Sequence, residues 1–366
     1  MNKYANAMNN GINMQENKRK VVQIGTLRIG NGLPVRVQSM TNTDTHDYEA
    51  TLKQVQSLDK AGCEIIRLAV PDMEAVETIR QLKNEKIAAP LVADIHFDYK
   101  IAVACCEAGV DKIRINPGNI GSRQRVREVV AACRERKIPI RIGVNGGSLE
   151  KEILHKYGSP TAEALAESAL GHVRILEEEG FDDIVISIKS SDVRTCIAAN
   201  RLLYKMTAYP LHIGVTEAGS VTMGRLRSAV GIGSLLCDGI GDTIRVSLTA
   251  DPLLEVTEGK NLLHALGLDQ SGISIVSCPT CGRTKIELIE LVERFENEYL
   301  PKLNPSRSLK VALMGCAVNG PGEAREADIG IAGGIGEALL FKKGQIVGKY
   351  PEEKILDILT NEINQM

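Results

Sequence analysis

The chain has no tryptophan, and only 3 % of its 366 residues are aromatic. Its cores must therefore be assembled from Ile, Leu, Val and Ala. No apolar run approaches the roughly 18 residues needed to span a bilayer, which excludes a membrane helix. The first twenty residues, ending in Lys18-Arg19-Lys20, hold no apolar segment of the signal-peptide kind, so residues 1–20 read as a loose polar leader. Excess charge is missing too. A formal net charge of −2 gives no reason to expect a general nucleic-acid or membrane-binding surface, and any affinity for anions must be local.

What is present is the composition of a soluble globular protein, 43 % hydrophobic and 25 % charged. The length suits one large and one small domain. Nine cysteines in a chain without an export signal point to the reducing cytoplasm, where thiols serve as core residues, nucleophiles or metal ligands.

Eight short Val/Ile-rich runs alternate with helical stretches: residues 35–40, 65–70, 91–95, 112–116, 138–144, 183–188, 211–215 and 243–248. That is the count of a (β/α)8 barrel, expected over residues 21–267. Amphipathic segments such as 49–61, 99–108, 123–136, 162–179 and 194–205 fill the intervals, and the helix 252–266 would close the barrel. Side chains two apart share one face of a strand. Asp94 and His96, Arg114 and Asn116, Arg141 and Asn145, Ser187 and Lys189, and Arg245 and Ser247 therefore line the inner wall at the carboxyl ends, where barrel active sites lie.

With Arg67 this sets five cations, Arg67, Arg114, Arg141, Lys189 and Arg245, around one mouth, against few acids, chiefly Asp94 and Glu217. Such a surplus is unfavourable to desolvate unless an anion arrives, and guanidinium forks fit phosphate oxygens. A diphosphate-like substrate is the expectation. Glu217 reads either as a proton donor or substrate orienter, or as an ion-pair partner of the rim arginines.

Past residue 267 the pattern changes to a small α+β domain, 268–366, with strands at 273–277, 309–314, 328–331, 338–341 and 345–350 and a helix at 284–299. Cys278 and Cys281, in Cys-Pro-Thr-Cys, follow one strand, and Cys316 follows another, 35 residues after Cys281. Two CxxC knuckles would spell a zinc ribbon, but the second here has a single cysteine, so three thiols around an iron–sulfur centre fit better. A fourth ligand is left open between Glu323, Cys237 and none. Cys237, in the helical run Leu235-Leu236-Cys237, reads as a packed thiol, as do Cys63, Cys105, Cys106, Cys133 and Cys196. The CxxxCxxC run of radical S-adenosylmethionine enzymes is absent, and the glycine-rich stretch 330–336 lacks the Lys-Ser/Thr of a P-loop and reads as a turn. A redox-neutral hydro-lyase, an electron carrier and a zinc-stapled binding protein are the competing classes.

Cys-Pro-Thr-Cys-Gly-Arg at 278–283 and Met-Gly-Cys-Ala-Val-Asn-Gly-Pro-Gly-Glu at 314–323 resemble the cluster motifs of the bacterial 4-hydroxy-3-methylbut-2-enyl diphosphate synthases of the non-mevalonate isoprenoid pathway. The segments 37–43, 94–97, 114–118 and 143–145 are similar to that family's barrel motifs, and the resemblance runs over about residues 20 to 360. It implies a [4Fe–4S] cluster held by Cys278, Cys281, Cys316 and Glu323. It implies reductive opening of 2-C-methyl-D-erythritol 2,4-cyclodiphosphate, with flavodoxin or ferredoxin as electron donor. Arg67, His96, Arg114, Asn116, Arg141, Asn145, Lys189, Arg245 and Ser247 would bind substrate, and Glu217 and Glu323 would be catalytic. A homodimer, the barrel of one subunit facing the cluster domain of the other, is implied as well.

Overall fold

A computed structural model of the chain describes residues 19–269, 272–303, 308–317 and 325–366. The chain divides into two compact units, one ending at Leu266 and one spanning Gly267–Met366.

The first unit opens with a hairpin, β1 (Val22–Ile24) and β2 (Leu27–Ile29), that the strand pattern of the sequence did not reveal. Eight parallel strands follow: β3 (Arg36–Met40), β4 (Ile65–Ala69), β5 (Leu91–Asp94), β6 (Lys112–Ile115), β7 (Ile140–Asn145), β8 (Ile184–Lys189), β9 (His212–Ile213) and β10 (Thr243–Ile244). They are ordered β8-β7-β6-β5-β4-β3-β10-β9. A bridge between Ile186 and Leu211, with Ile186 N donating to Pro210 O at 2.9 Å, closes the ring between β8 and the start of β9. The barrel is thus the one expected, and its strands begin and end close to the predicted limits except at β9 and β10. There only two residues each stay in the ladder. Just past it Arg245 N still donates to Ile213 O at 3.0 Å, and a Cβ on Gly214 would lie 2.5 Å from Arg245 O, so the close approach of the two chains requires glycine there.

Isoleucines and valines on the outer faces of the strands, among them Ile113, Ile115, Ile140, Ile142, Val144, Ile186 and Ile188, are buried under the helices and form the main core. Most of those helices start on a side-chain cap: Asp47, Asp72, Asp98, Asp192 and Asp251 each accept from a backbone N–H of the first turn. Towards the amino end of the barrel three inward side chains are apolar. Ile65, Val92 and Val185 pack on Val22, Ile24 and Ile29, so the hairpin stoppers that end. The carboxyl ends stay polar.

The second unit is a five-stranded sheet, β11 (Ile273–Ser277), β12 (Leu309–Met314), β13 (Ile329–Gly333), β14 (Glu337–Lys342) and β15 (Gln345–Pro351), in sequence order. The first three strands are parallel and the last two antiparallel. The helices Leu288–Arg294 and Ile355–Asn364 cover one face through Leu288, Leu291, Ile355, Leu359 and Ile363. Two expectations are corrected. The helix starts at Leu288, not at residue 284, because Lys285 N is taken by Gly315 O at 2.9 Å and its chain runs extended there. The glycine-rich stretch is largely strand β13, not a turn: a Cβ on Gly330 would sit 2.6 Å from Phe341 Cζ, so glycine is needed for close sheet packing.

Candidate functional site

The predicted alternation places its side chains where it should. Arg67, Asp94, His96, Arg114, Arg141, Gly143, Asn145, Ser187, Lys189, Thr216, Arg245 and Ser247 line one pocket at the carboxyl ends of the barrel strands. All five expected cations are in it.

Their pairing shows which charges are satisfied. Asp94, 5 % exposed, lies 3.2 Å from Arg114 Nη1 and 3.8 Å from Arg67 Nε. Burial pushes the Asp94 carboxyl upward, but the guanidinium groups of Arg67 and Arg114 outweigh that and hold it below the usual carboxylate range. Asp94 is therefore an ionised orienter of arginines. Arg114 also donates to Gly143 O at 2.8 Å and from Nη1 to His96 Nε2 at 3.3 Å. A guanidinium can only donate, so the His96 Nε2 atom accepts and the ring carries its proton on Nδ1.

The second acid at the mouth is Glu255, not the expected Glu217. It reaches in from the helix Pro252–Ala265, 4 % exposed, and takes Arg245 Nε and Nη2 on its two oxygens, each at 3.3 Å. Ser39 Oγ and Leu248 N also donate to it, at 2.8 and 3.0 Å. Glu217 is exposed, makes no ion pair among the described residues, and holds a left-handed backbone, φ 53°. Its neighbour Thr216 supplies the lining at that point.

Asn116 is buried and does not line the pocket; its Oδ1 accepts from Gly143 N at 2.9 Å, which ties β6 to β7. Just beyond, Gly118 N donates to His172 Nδ1 at 3.2 Å, and His172 Nε2 lies 2.8 Å from Glu150 Oε1. A Cβ on Gly118 would come within 2.7 Å of that ring. His172 is the prop under this loop.

The pocket and the interior beneath it contain six inward cations, Arg67, Lys112, Arg114, Arg141, Lys189 and Arg245. Among the described residues, the carboxylates within ion-pair distance of them are Asp94 and Glu255. Burial, reinforced by neighbouring positive charge, pushes Arg141 and Lys189 well below their ordinary values. An anion entering the mouth would offset that penalty, because guanidinium and ammonium groups are hydrogen-bond donors only.

In the second unit, β11 and β12 are parallel neighbours, Ser277 opposite Leu313, so Cys278 and Cys316 leave the sheet on adjacent loops at one edge. Gly315 N donates to Cys278 Sγ at 3.3 Å. Lys285 N bonded to Gly315 O, with Thr284 Oγ1 accepting from Cys281 N at 3.1 Å, binds the Cys-Pro-Thr-Cys loop to the next strand end. Cys281 is exposed, and hydrogen bonds from the Arg283 backbone and side chain pull its thiol below the ordinary value. Three thiols on two tied loops, with an amide already aimed at one sulfur, suit an iron–sulfur centre. Among the described residues no three His, Cys, Asp or Glu side chains stand close enough to grip one metal ion. Glu323 lies outside the described residues.

The other cysteines belong to the barrel unit and all nine are free thiols. Cys63, Cys105, Cys106, Cys133 and Cys196 are buried as expected, but Cys237 is exposed at the end of the helix Val221–Cys237 instead of packed. No helix among the described residues is long and apolar enough to cross a membrane.

Comparison with known proteins agrees with both halves of this description. Residues 19–260 match the family model described as the GcpE TIM-barrel domain, and residues 274–365 the GcpE protein C-terminal domain. A protein of Ruminiclostridium cellulolyticum, named 4-hydroxy-3-methylbut-2-en-1-yl diphosphate synthase (flavodoxin), is 57 % identical over 353 residues, 96 % of this chain and 99 % of its own. A protein of Geobacter sulfurreducens with the same name is also 57 % identical, over 349 residues, 95 % of this chain and 98 % of its own. Among solved structures, a type I 3-dehydroquinate dehydratase of Clostridium difficile superposes with a TM-score of 0.50 at 17 % identity, over 68 % of this chain and 98 % of that one, a likeness of barrel fold alone.

Proposed function

Because the chain belongs to the GcpE family over both its barrel and its C-terminal part, we propose that it converts 2-C-methyl-D-erythritol 2,4-cyclodiphosphate to 4-hydroxy-3-methylbut-2-enyl diphosphate with electrons from flavodoxin. The observation that carries this reading is the barrel mouth, where buried cations outnumber acids and an incoming polyanion would offset the excess charge. The reaction opens the cyclic diphosphate at a C–O bond, takes up two electrons and a proton, and releases water.

Arg67, Arg114, Arg141, Lys189, Arg245 and Ser247 hold the diphosphate oxygens, and Asn145 and His96 orient the carbon chain beside them. Asp94 and Glu255 fix the directions of Arg114, Arg67 and Arg245, so the clamp is preorganised before substrate arrives. Asn116 acts through Gly143 and not on substrate. Glu217, held in a left-handed conformation beside the pocket-lining Thr216, supplies or positions a proton.

In the second unit, Cys278, Cys281 and Cys316, with Glu323 as the fourth ligand, would hold a [4Fe–4S] cluster. Such a cluster supplies single-electron transfer and a Lewis-acidic iron at the site of C–O cleavage. The amide of Gly315 donates to Cys278 Sγ, and hydrogen bonds from Arg283 favour the Cys281 thiolate. A homodimer in which one subunit's cluster domain meets its partner's barrel mouth, working in the cytoplasm, completes the reading.

The test is oxidation of a reduced viologen dye by anaerobically purified protein. Dye oxidation that depends on the cyclodiphosphate and yields an allylic diphosphate is the expected result. A preparation with its iron intact that leaves the dye reduced would overturn the proposal and put the redox-neutral hydro-lyase first.

A further inference from the structure

Beneath the pocket, towards the amino ends of the strands, the barrel interior holds Lys112, Gln38 and His212, polar side chains to which the function above gives no task, around the inner side of Arg141. Lys112 on β6 is completely buried, two residues before Arg114 and on the same face. Gln38 on β3 and Arg141 on β7 are each 1 % exposed, and His212 on β9 is completely buried. All four are buried inside the barrel, Lys112 and Arg141 on the neighbouring strands β6 and β7, and Gln38 and His212 on β3 and β9. Arg141 Nη1 donates to Gln38 Oε1 at 3.3 Å, His212 Nδ1 meets Thr243 Oγ1 at 2.8 Å, and the charges of both Lys112 and Arg141 act on His212.

After these bonds four buried atoms of the cluster keep no hydrogen-bond partner among the described residues: Lys112 Nζ, Arg141 Nε, Gln38 Nε2 and His212 Nε2. All four are nitrogens. Arg141 Nε and Gln38 Nε2 can only donate, Lys112 as an ammonium likewise, and His212 Nε2 donates when its Nδ1 accepts the Thr243 hydroxyl proton. Burial, reinforced by the positive charges of Arg141 and Arg67, pushes Lys112 well below its ordinary value, and no carboxylate among the described residues is there to hold its proton. Buried donors need acceptors, and a buried unpaired ammonium needs a counter-charge. A water molecule offers two lone pairs but brings two donors of its own into a ring of donors, and it leaves the charge uncompensated. A small anion meets both needs.

We propose that the barrel floor is a second anion site, built by Lys112, Arg141, Gln38 and His212, that takes one monovalent anion of halide size. It is separate from the substrate pocket above, since Lys112, Gln38 and His212 do not line that pocket. Beside it, Ile65, Val92 and Val185, the register partners of Gln38, Lys112 and Arg141, pack on the hairpin and give that side an apolar wall. Arg141 stands in both sites. The floor anion neutralises Lys112 and fixes the Nε side of Arg141, leaving the pocket-facing side of its guanidinium for substrate.

Crystals of the cluster-loaded full chain grown in bromide and measured at the bromine edge test the site directly. An anomalous peak in contact with Lys112 Nζ and Arg141 Nε is expected. A peak confined to the rim arginines, or density on the floor without anomalous signal, overturns the proposal. In solution, at constant ionic strength held with a bulky anion, the melting temperature of the native chain should rise by about 3 °C per tenfold increase in bromide. Lys112→Met, which keeps the length and loses the charge, should abolish the floor peak and flatten this dependence. A Lys112→Met protein with the native halide response refutes the site, and if that variant does not fold the crystal measurement on the native chain decides alone.

Discussion

Glu255 grips Arg245 with both carboxylate oxygens, each 3.3 Å from a different guanidinium nitrogen, although the two residues lie on different elements, a strand end and the helix that follows it. The same carboxylate caps Leu248 N and takes the Ser39 hydroxyl, so one buried acid sets the direction of a pocket arginine.

Replacing Glu255 by Gln removes the charge and puts an N–H against donors. Arg245 then loses its counter-charge, and the Michaelis constant for the cyclodiphosphate should rise about tenfold while the turnover number changes much less. Stability should fall by about 1–3 kcal/mol, as expected when one buried acceptor of a charged pair is lost. Steady-state kinetics and denaturant unfolding read the two effects separately.

Gly315 has no room for a side chain. A Cβ there would stand 2.8 Å from Thr284 Cγ2 and 3.2 Å from Leu288 Cδ2, both on the segment that carries Cys281 to its helix. Gly315→Ala should push that segment away, break the Lys285–Gly315 bond and lower iron content per chain after reconstitution. The substrate-induced change in barrel fluorescence or melting should survive, because the barrel is a separate unit. Full iron loading in the alanine variant would contradict this account.

Thiol reactivity should follow the local fields. In cluster-free protein, Cys281 is exposed with its thiol pulled down by Arg283, whereas burial pushes the thiols of Cys63 and Cys105 up, and the hydrogen bond with Cys106 followed by burial does so for Cys133. Brief treatment with iodoacetamide at neutral pH should label Cys281 ahead of those three, and Arg283→Met should slow that labelling severalfold. Peptide mass spectrometry scores it.

The prop beneath the β6 loop is sensitive to acid. The hydrogen bond with His172, followed by that from Ser168, pulls the Glu150 carboxyl down to about 2, from an ordinary value of 4.5. A carboxyl whose folded value is depressed adds stability above its unfolded value, and that contribution fades as pH falls towards the folded one. The stability gap between the native chain and Glu150→Gln should therefore be full at pH 6 and shrink below about pH 4.5. Urea unfolding of both proteins at pH 6 and pH 4 checks the sign; a gap that widens on acidification would be fatal to it.

The barrel and most of its mouth were legible because the evidence for them is local. Two-residue alternation fixes which side chains share a face, and Arg114, Arg141 and Lys189 needed no tertiary knowledge to be placed together. Glu255 was not legible for the opposite reason. In Leu-Leu-Glu-Val-Thr-Glu it reads as an ordinary helical glutamate, and only the approach of the helix Pro252–Ala265 to β3 brings it to Ser39 and Arg245. Lys112 and His212 lay within the reach of the same alternation, two residues below Arg114 and Gly214, but reading only strand ends passed over them. The hairpin was missed because three-residue strands carry too little periodicity. The adjacency of Cys278 and Cys316 rests on the pairing of β11 with β12, a fact of sheet order that no spacing encodes.

The hairpin makes the barrel a flask with a single neck. Substrate, water and product all pass the same ring of cations, and nothing can be expelled through the base. With the diphosphate held by the arginines as proposed, the linear product must let go before the next cyclic one can seat. Accumulated product will therefore inhibit by occupying the substrate's own place, in the competitive pattern, and the rate of its escape belongs to the turnover as much as the chemistry does.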